Sequence, residues 1–218
     1  MAQSGKYWTR RQFLKASGVG SGALLLTGCD ALFKTEVGPS PSPSPSPGGS
    51  TVAVIDQSGQ LGNVKLDTVL AGVVGMSAFG SFETSNRFII IISARVKQAA
   101  YMALRQRYRQ LWHPYLKLHT AGVALLLRDM EAARGIERVF LDEEFPGKAG
   151  NIISVLNHRK LRLLDRLAIR NVRGTSEGQA AHLLASQVYR ARMNRMLMPN
   201  NVNVHVVDES ELISALGI

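Results

Sequence analysis

The sequence predicts an α/β fold with a mixed central sheet over residues 51–218. Three short apolar runs, each closed by turn residues, come first, and their spacing permits antiparallel meander connections. Helical patterns then alternate with further apolar runs, so the predicted order is β-β-β-α-β-α-β-α with a terminal β-α. The composition, 45% hydrophobic and 19% charged, is that of a globular protein. The 218 residues suffice for one well-packed domain plus appendages.

Turn and capping residues divide these elements. Pro114 breaks the first helical pattern, because proline cannot continue a helix. Thr175 and Ser176 are of the type that caps a helix start, and Glu177 and Gly178 then fall in its first turn. The elements are predicted as strands at 51–59, 67–74 and 87–93, helices at 96–112 and 115–134, a strand at 137–142, a helix at 151–167, a strand at 168–172, a helix from 175 or 176 to about 194, a strand at 202–207 and a helix at 209–216.

Asp56 is the first candidate functional residue. Four apolar or small residues precede it in the first strand, and Gln57, Ser58 and Gly59 then turn the chain away. The carboxylate therefore lies near the carboxyl end of a strand, which is where open α/β sheets place their chemistry. The alternative is that Asp56 merely begins the turn, as aspartate often does.

Residues 1–29 resemble an export signal. The run TRRQFLK at residues 9–15 is similar to the twin-arginine consensus, and LTGC at residues 26–29 is similar to the lipobox of bacterial lipoproteins. The apolar segment between them is too short and too mild for a membrane span. The resemblance implies twin-arginine export and a lipid on Cys29, which would anchor the protein outside the cytoplasm. The alternative is a chance Arg-Arg pair followed by a buried helix with a free cysteine.

Residues 30–50 are predicted to form a disordered tether. Proline and serine alternate from Pro39 to Pro47, and alternate residues without an N–H group cannot build a helix or a ladder. Such a segment is an extended spacer of ~3.1 Å per residue. It would hold the folded domain away from the membrane.

Net charge and cysteine content limit the kinds of binding partner, disulfide and metal site that are expected. The formal net charge is +10, and four of the 26 basic residues lie within residues 1–29, which leaves 22 against 16 acidic ones. This surplus favours anionic partners, either nucleic acid or lipid headgroups. Cys29 is the only cysteine, which excludes an intramolecular disulfide and a cysteine-cluster metal site. The chain has no GxxxxGK[ST] phosphate loop, and no nucleotide cofactor is expected.

Four short motifs resemble a branch of the ribonuclease H-like superfamily. VIDQSG at residues 54–59 is similar to the branch's opening Ile-Asp-Glu-Ser-Gly, and LKLHTA at 116–121 is similar to its Glu-Leu-His-Gly-Ser segment. VFLD at 139–142 matches its acidic fourth strand, and GQAAHLLA at 178–185 resembles its late-helix motif Leu-Gln-Leu-Ala-Asp-Leu-Leu-Ala. The resemblance implies a three-layer fold around a mixed sheet and a two-metal nuclease site.

The resemblance implies that Asp56, Asp142 and His182 are the catalytic residues and bind Mg²⁺ or Mn²⁺. Hard divalent ions prefer oxygen ligands, and in two-metal chemistry they activate a water and stabilise the leaving oxygen of a phosphodiester. His182 stands where the branch usually has aspartate, and a neutral imidazole is a weaker ligand for the harder ion. His119 is more typical of a helix surface or core histidine than of a ligand.

The sequence departs from the branch at two further positions. Gln57 and Lys117 stand where glutamate is expected, and an ammonium group is not a metal ligand. Glu177, Glu143 or Glu144 can supply the missing carboxylate, and Glu177 is assigned to the metal set. For Glu143 and Glu144, a solvated acidic edge is the favoured interpretation.

Basic residues cluster in the first predicted helix at 96–112, between residues 159 and 173, and near the end of the helix that runs to about 194. Tyrosines and a tryptophan are interleaved with them. Such side chains give salt-sensitive affinity for phosphates, and aromatic rings can stack on bases. The alternative is that they form solvated helix faces or face anionic lipid. The candidate nucleic-acid-binding residues are Arg105, Arg109, Lys160 and Arg190.

Two functions follow as hypotheses. The first is a membrane-tethered, divalent-metal-dependent nuclease domain that hydrolyses or binds nucleic acid. The second is a catalytically inactive ribonuclease H-like lipoprotein that serves as a binding or envelope interaction module. Loss of metal-dependent cleavage in Asp56→Asn and Asp142→Asn variants with unchanged melting would distinguish the first from the second.

Overall fold

A computed structural model describes residues 49–108 and 113–218. Within these ranges the strands are β1 (Ser50–Ser58), β2 (Thr68–Ala78), β3 (Ser81–Ile92), β4 (Arg138–Asp142), β5 (Leu167–Arg170) and β6 (Asn203–Val206). The helices are α1 (Ala94–Arg107), α2 (Pro114–Met130), α3 (Ala149–Asn157), α4 (Ser176–Asn194) and α5 (Glu209–Leu216), with a 3₁₀ turn at Leu164–Arg166.

The six strands form one mixed sheet in the order β5-β4-β1-β2-β3-β6. β1, β2 and β3 pair antiparallel, as the spacing of the first three runs predicts. β4 pairs parallel with β1, β5 with β4, and β6 with β3. The predicted α/β class with a mixed sheet is confirmed. The parallel pairing also places the carboxyl ends of β1 and β4 side by side, which positions the candidate site.

Helices cover both faces of the sheet. One core lies between the sheet and α1, α2, α3 and α5. The other lies under α4, where Ala181, Leu184, Ala185 and Val188 pack on alternate strand residues such as Val54. Successive side chains of a strand point to opposite faces. Alternation along β1 therefore sends Asp56 to the α4 face, together with Val54.

The β2–β3 hairpin is longer than the apolar pattern predicts. Its tip is a two-residue turn of Phe79 and Gly80, both with positive φ, of 50° and 78°, as in type I′ hairpins. Apart from Phe82, residues 81–86 are polar, and most of the six are exposed, so they lack an apolar run and are held in the strand by backbone pairing with β2. Sequence patterning detects burial and therefore predicts only the apolar half of β3.

The predicted helix at 151–167 is wrong beyond Asn157. The chain turns after α3, and Lys160 has a left-handed φ of 45°. The N–H of Arg162 donates to Glu131 Oε1 over 2.6 Å, and the Arg166 guanidinium donates to the carbonyl of Ile136. These bonds hold the segment against Glu131, the C-cap of α2, and against the connection between α2 and β4.

Several sequence predictions lie outside the described residues. They are the export signal with Cys29, all but the end of the tether, and Arg109. The predicted end of the first helix at Trp112 is wrong, because α1 ends at Arg107 and Tyr108 has a non-helical backbone, with φ of −125° and ψ of 89°. Among the helices of residues 49–108 and 113–218, none has the length and apolarity to cross a bilayer.

Candidate metal centre

Asp56 is buried at the carboxyl end of β1, with only 3% of its surface exposed. Its Oδ2 lies 2.8 Å from Nδ1 of His182, whereas Oδ1 is buried and has no hydrogen-bond partner among the described residues. Burial raises the pKa of Asp56, the His182 hydrogen bond opposes this rise, and the nearby Asp142 adds to it. A buried carboxylate oxygen without a donor is costly, and a cation or another donor at Oδ1 would remove this cost.

Asp142 ends β4 and is 2% exposed. The sheet pairs Ile55 with Leu141, so the next residues, Asp56 and Asp142, lie at the same level of adjacent parallel strands. Asp142 Oδ1 accepts the N–H of Val172 over 3.3 Å, and Oδ2 accepts Nε of Arg173 over 3.0 Å. The chain just after β5 therefore fixes the Asp142 carboxylate.

Glu144 is the third acid of the centre. Its N–H donates to the Asp142 carbonyl over 2.9 Å, a tight turn that folds the chain back at the end of β4. One carboxylate oxygen from each of Asp56, Asp142 and Glu144 lies within 4.8 Å of the others, a spacing that can hold a metal ion. Glu144 is half-buried, and in this position it is part of the acidic centre.

His182 contacts the centre but does not belong to this group of three acids. It lies on α4, its side chain is 56% exposed, and its Nδ1 is directed at Asp56. Since a carboxylate only accepts, Nδ1 carries the proton, and Nε2 is the ring nitrogen left for solvent or substrate. The hydrogen bond from His182 Nδ1 therefore orients the Asp56 carboxylate.

Glu177, assigned to the metal set from the sequence, has different partners. Its carboxylate accepts from Ser77 Oγ over 2.5 Å and from Ser176 Oγ over 3.2 Å. Burial opposes the charge of Glu177, but these hydroxyl and backbone hydrogen bonds prevail and lower its pKa. The position also suits a carboxylate, because Glu177 lies in the first turn of α4.

Gln57 and His119 meet on the opposite face of β1. Gln57 Nε2 donates to the Gly59 carbonyl over 3.0 Å, and its Oε1 lies 2.8 Å from His119 Nδ1. His119 is fully buried, which lowers its pKa to about 4. The departure from glutamate at position 57 thus gives a neutral amide that accepts from a neutral imidazole. Lys117, the other departure, lies over the ring of Tyr108 at 4.3 Å.

The candidate nucleic-acid-binding residues do not form a single patch in the described part of the chain. Arg105 on α1 and Lys160 after α3 are exposed on the side of the sheet that these helices cover. Arg190 is exposed on α4, which packs on the other side. Arg105 also donates to Tyr101 Oη over 3.4 Å.

Sequence reasoning missed the role of Arg173. Its Nη2 lies 2.9 Å from Asp142 Oδ2 and 2.9 Å from Glu144 Oε1. The parallel register pairs Asp142 with Arg170, so residue 173 follows just beyond the end of β4. The pairing of Asp142 with Arg170 indicates that Arg173 lies near Asp142. This pairing cannot be read from the sequence unless the sheet order is known.

Comparisons with protein-family models, with curated proteins and with solved structures find no match to this chain. Three carboxylates form an all-oxygen ligand set, and one of them has a buried oxygen without a partner among the described residues. Such a set suits a hard divalent ion, and it contains no sulfur ligand for a softer metal that prefers thiolates.

Proposed function

We propose that residues 49–218 form a divalent-metal-dependent phosphodiester hydrolase domain of the ribonuclease H-like type, which acts on nucleic acid. One observation carries the proposal. Asp56 and Asp142 are distant in the sequence, yet they lie on adjacent strands, and one carboxylate oxygen of each lies within 4.8 Å of the other and of a Glu144 oxygen. A buried oxygen of Asp56 also lacks a partner in the described part of the chain. The order of strands and helices and the mixed sheet are compatible with this fold.

Asp56, Asp142 and Glu144 would hold Mg²⁺ or Mn²⁺. When bound there, the ion supplies Lewis-acid activation of water and charge stabilisation at a phosphodiester. The chain's own residues prepare the site. His182 orients Asp56 through Nδ1 and can hold a proton at Nε2, and the Val172 N–H keeps Asp142 in place.

Nucleic acid is the proposed substrate because the domain is basic and the acidic centre is not its only charged feature. Arg105, Lys160 and Arg190 are exposed and can neutralise phosphates without reading sequence. They lie on both sides of the sheet, so a bound strand would contact some of them rather than all at once.

Attachment to a membrane outside the cytoplasm is part of the proposal and rests on sequence motifs alone. The twin-arginine motif, the lipobox ending at Cys29 and the proline-serine tether occur in the order an exported lipoprotein requires. Metabolic labelling with a radioactive fatty acid tests it, because Cys29→Ser should abolish the label.

Asp56→Asn and Asp142→Asn test the enzymatic proposal. The wild type should cleave at least one of single-stranded DNA, duplex DNA, RNA or an RNA–DNA hybrid with Mg²⁺ or Mn²⁺, and a chelator should stop the cleavage. Each substitution keeps the shape of the side chain but removes a ligand charge, so we expect the rate to fall by roughly 10²-fold or more. Gel analysis of labelled substrates measures the effect.

Asp165→Asn is the matched control, since Asp165 is an exposed carboxylate on the 3₁₀ turn and outside the acidic centre. Its activity should equal that of the wild type. Equal activity in the Asp56 and Asp142 variants would contradict the proposed site, provided that all variants melt at the same temperature.

One observation favours a second candidate, the catalytically inactive binding module. Arg173 forms ion pairs with both Asp142 and Glu144 and so partly compensates their charge. Under this alternative the wild type neither cleaves any of the four substrates nor gains thermal stability from divalent ions, whereas its affinity for a partner survives Asp56→Asn.

A further inference from the structure

Arg173 contacts two of the three acids that could hold a metal ion. Its Nη2 is 2.9 Å from an oxygen of Asp142 and 2.9 Å from an oxygen of Glu144. Nε of the same side chain is 3.0 Å from Asp142. A single nitrogen thus bridges two carboxylates of the centre. Charge-assisted contacts of this length are the strong class of hydrogen bond.

An ion that used these same two oxygens would compete with the guanidinium for them. Mg²⁺ sits about 2.0–2.1 Å from its ligands, closer than the 2.9 Å of the Nη2 contacts, so an ion on the same side of these oxygens would take the place of Nη2. The two cations would also repel each other at close range in a partly buried site. The Arg173 side chain is 39% exposed, which gives it a path away from the centre.

We propose that Arg173 is a resident counter-ion of the centre, which a divalent ion must displace in order to bind. The inference rests on the metal centre described under the proposed function. Arg173 compensates the carboxylates while no ion is bound, and its departure is part of ion binding. The affinity for metal is therefore set by the three acids and reduced by competition with one arginine.

Mn²⁺ binding to the full chain tests this, with the free ion followed by electron paramagnetic resonance at neutral pH. Arg173→Gln removes the competing charge, and we expect it to bind Mn²⁺ roughly tenfold more tightly than the wild type, the size set by lost charge-assisted hydrogen bonds. Asp56→Asn removes a ligand and should weaken binding at least as much.

Arg170→Gln is the matched control. Arg170 is three residues earlier, and its guanidinium lies 3.7 Å from the centroid of the Phe140 ring instead of on the acids. The two substitutions remove the same charge from neighbouring positions. Arg170→Gln should bind Mn²⁺ with wild-type affinity, so a gain confined to Arg173→Gln reports the direct contact.

The outcomes separate the two proposals. Wild-type affinity in Arg173→Gln, with binding lost in Asp56→Asn, overturns the counter-ion role and leaves the metal centre intact. Equal tightening in Arg170→Gln also overturns it, because any nearby charge would then suffice. Absence of Mn²⁺ binding in both the wild type and Arg173→Gln overturns the metal centre and the counter-ion role together.

A measurement on the wild type remains decisive if Arg173→Gln fails to fold. In protein with ¹⁵N-labelled arginine, the Nε–H signal of Arg173 reports its bond to Asp142. Addition of Mg²⁺ should move this signal and increase its exchange with solvent, while the Arg170 signal stays in place. If calorimetry shows that Mg²⁺ saturates the protein while the Arg173 signal stays unchanged, displacement is contradicted.

Discussion

His119 illustrates how burial sets the chemistry of one side chain. Its imidazole is fully buried on α2 and tilts against the ring of Phe145 at 5.2 Å between centroids. Because the Gln57 amide gives its NH₂ to Gly59, its oxygen faces the ring and Nδ1 must donate. His119 Nε2 is then a buried acceptor without a partner in the described ranges of the chain. The ring is held neutral, since a charge there would have no compensation.

Acid should therefore destabilise the protein through His119. Its pKa is about 4 in the folded state against 6.5 as the ordinary value. Between those values the unfolded chain binds the proton and the folded one does not, so stability is present above pH 6.5 and falls as pH drops towards 4. The full contribution is about 3 kcal/mol. Urea unfolding near pH 6.5 and again about two pH units lower measures it.

His119→Gln and His158→Gln complete this experiment. His119→Gln should be less stable at neutral pH but lose less stability on acidification, because the titrating group is gone. His158 is exposed after α3, and its replacement should leave the wild-type pH dependence unchanged. A His119→Gln variant with the full acid sensitivity of the wild type would contradict the assignment.

Single residues also show where sequence reasoning stops. The motifs predict that Asp56, Asp142 and His182 lie near one another, and the structure joins them in one area, but their catalytic role stays a prediction. The sequence groups Lys97 with the basic side chains of the first helix, yet it is fully buried. Its Nζ donates to Thr68 Oγ1 over 2.8 Å, and burial lowers its pKa to about 8. The positive charge of Lys97 does not indicate its partner in the sequence, because Thr68 belongs to β2 and comes close only when the helix packs on the sheet.

At the scale of elements, the join between β5 and α4 supports the acidic centre. Thr175 Oγ1 accepts the N–H of Gly178 over 3.0 Å and donates to the Val172 carbonyl over 2.9 Å. Val172 in turn donates to Asp142. The helix cap and the Asp142 carboxylate are therefore linked through one residue. A Cβ at position 178 would overlap the Val172 carbonyl oxygen, so glycine is required for this close approach.

Gly178→Ala should push the start of α4 away from the backbone of Val172. Alanine normally favours a helix over glycine by about 1 kcal/mol, but here the methyl group must push the backbone of Val172. We expect a net loss of about 1–3 kcal/mol, as for overpacked positions. The shift also moves the N–H that holds Asp142, so Mn²⁺ affinity should fall. Thermal melting and Mn²⁺ titration measure the two effects.

Gly150→Ala provides the comparison, because Gly150 lies in the first turn of α3 and a methyl group there would meet open space. It should be as stable as the wild type or more stable. If Gly178→Ala melts at the same temperature as Gly150→Ala, the close packing against Val172 does not constrain the helix.

At the scale of the whole molecule, the element order could be predicted because each apolar run has the length and period of its element. The bounds of α5 and the end of α4 agree with prediction, since caps mark them. The sheet order could not be derived, because pairing depends on contacts between distant residues. For the same reason, the full set of residues in the acidic centre could not be predicted. Asp56 and Asp142 could be named from motifs, whereas Glu144 and Arg173 join them only through the β1–β4–β5 register.

The last strand and helix are fastened to α2 by a charged cluster. His205 on β6 lies with Nδ1 2.7 Å from Asp129 and Nε2 2.7 Å from Glu211. Arg128 of α2 also contacts Glu211, at 2.5 Å. Since both ring nitrogens face carboxylates, only the imidazolium can donate to both. Burial opposes this charge, but the hydrogen bonds and charges of Asp129 and Glu211 prevail and raise the pKa of His205.

This cluster should stabilise the molecule in the opposite pH direction from His119. A raised folded pKa means that the contribution of His205 is fully present below its ordinary value of 6.5 and is lost as pH rises through the folded pKa. His205→Gln should therefore lower the melting temperature by ~2–4 °C in mild acid, for about 1 kcal/mol, and by less in alkaline buffer. Melting curves of both proteins from mildly acidic to alkaline pH test it. A constant difference between wild type and variant would mean that His205 supports the terminal strand and helix by packing rather than by charge.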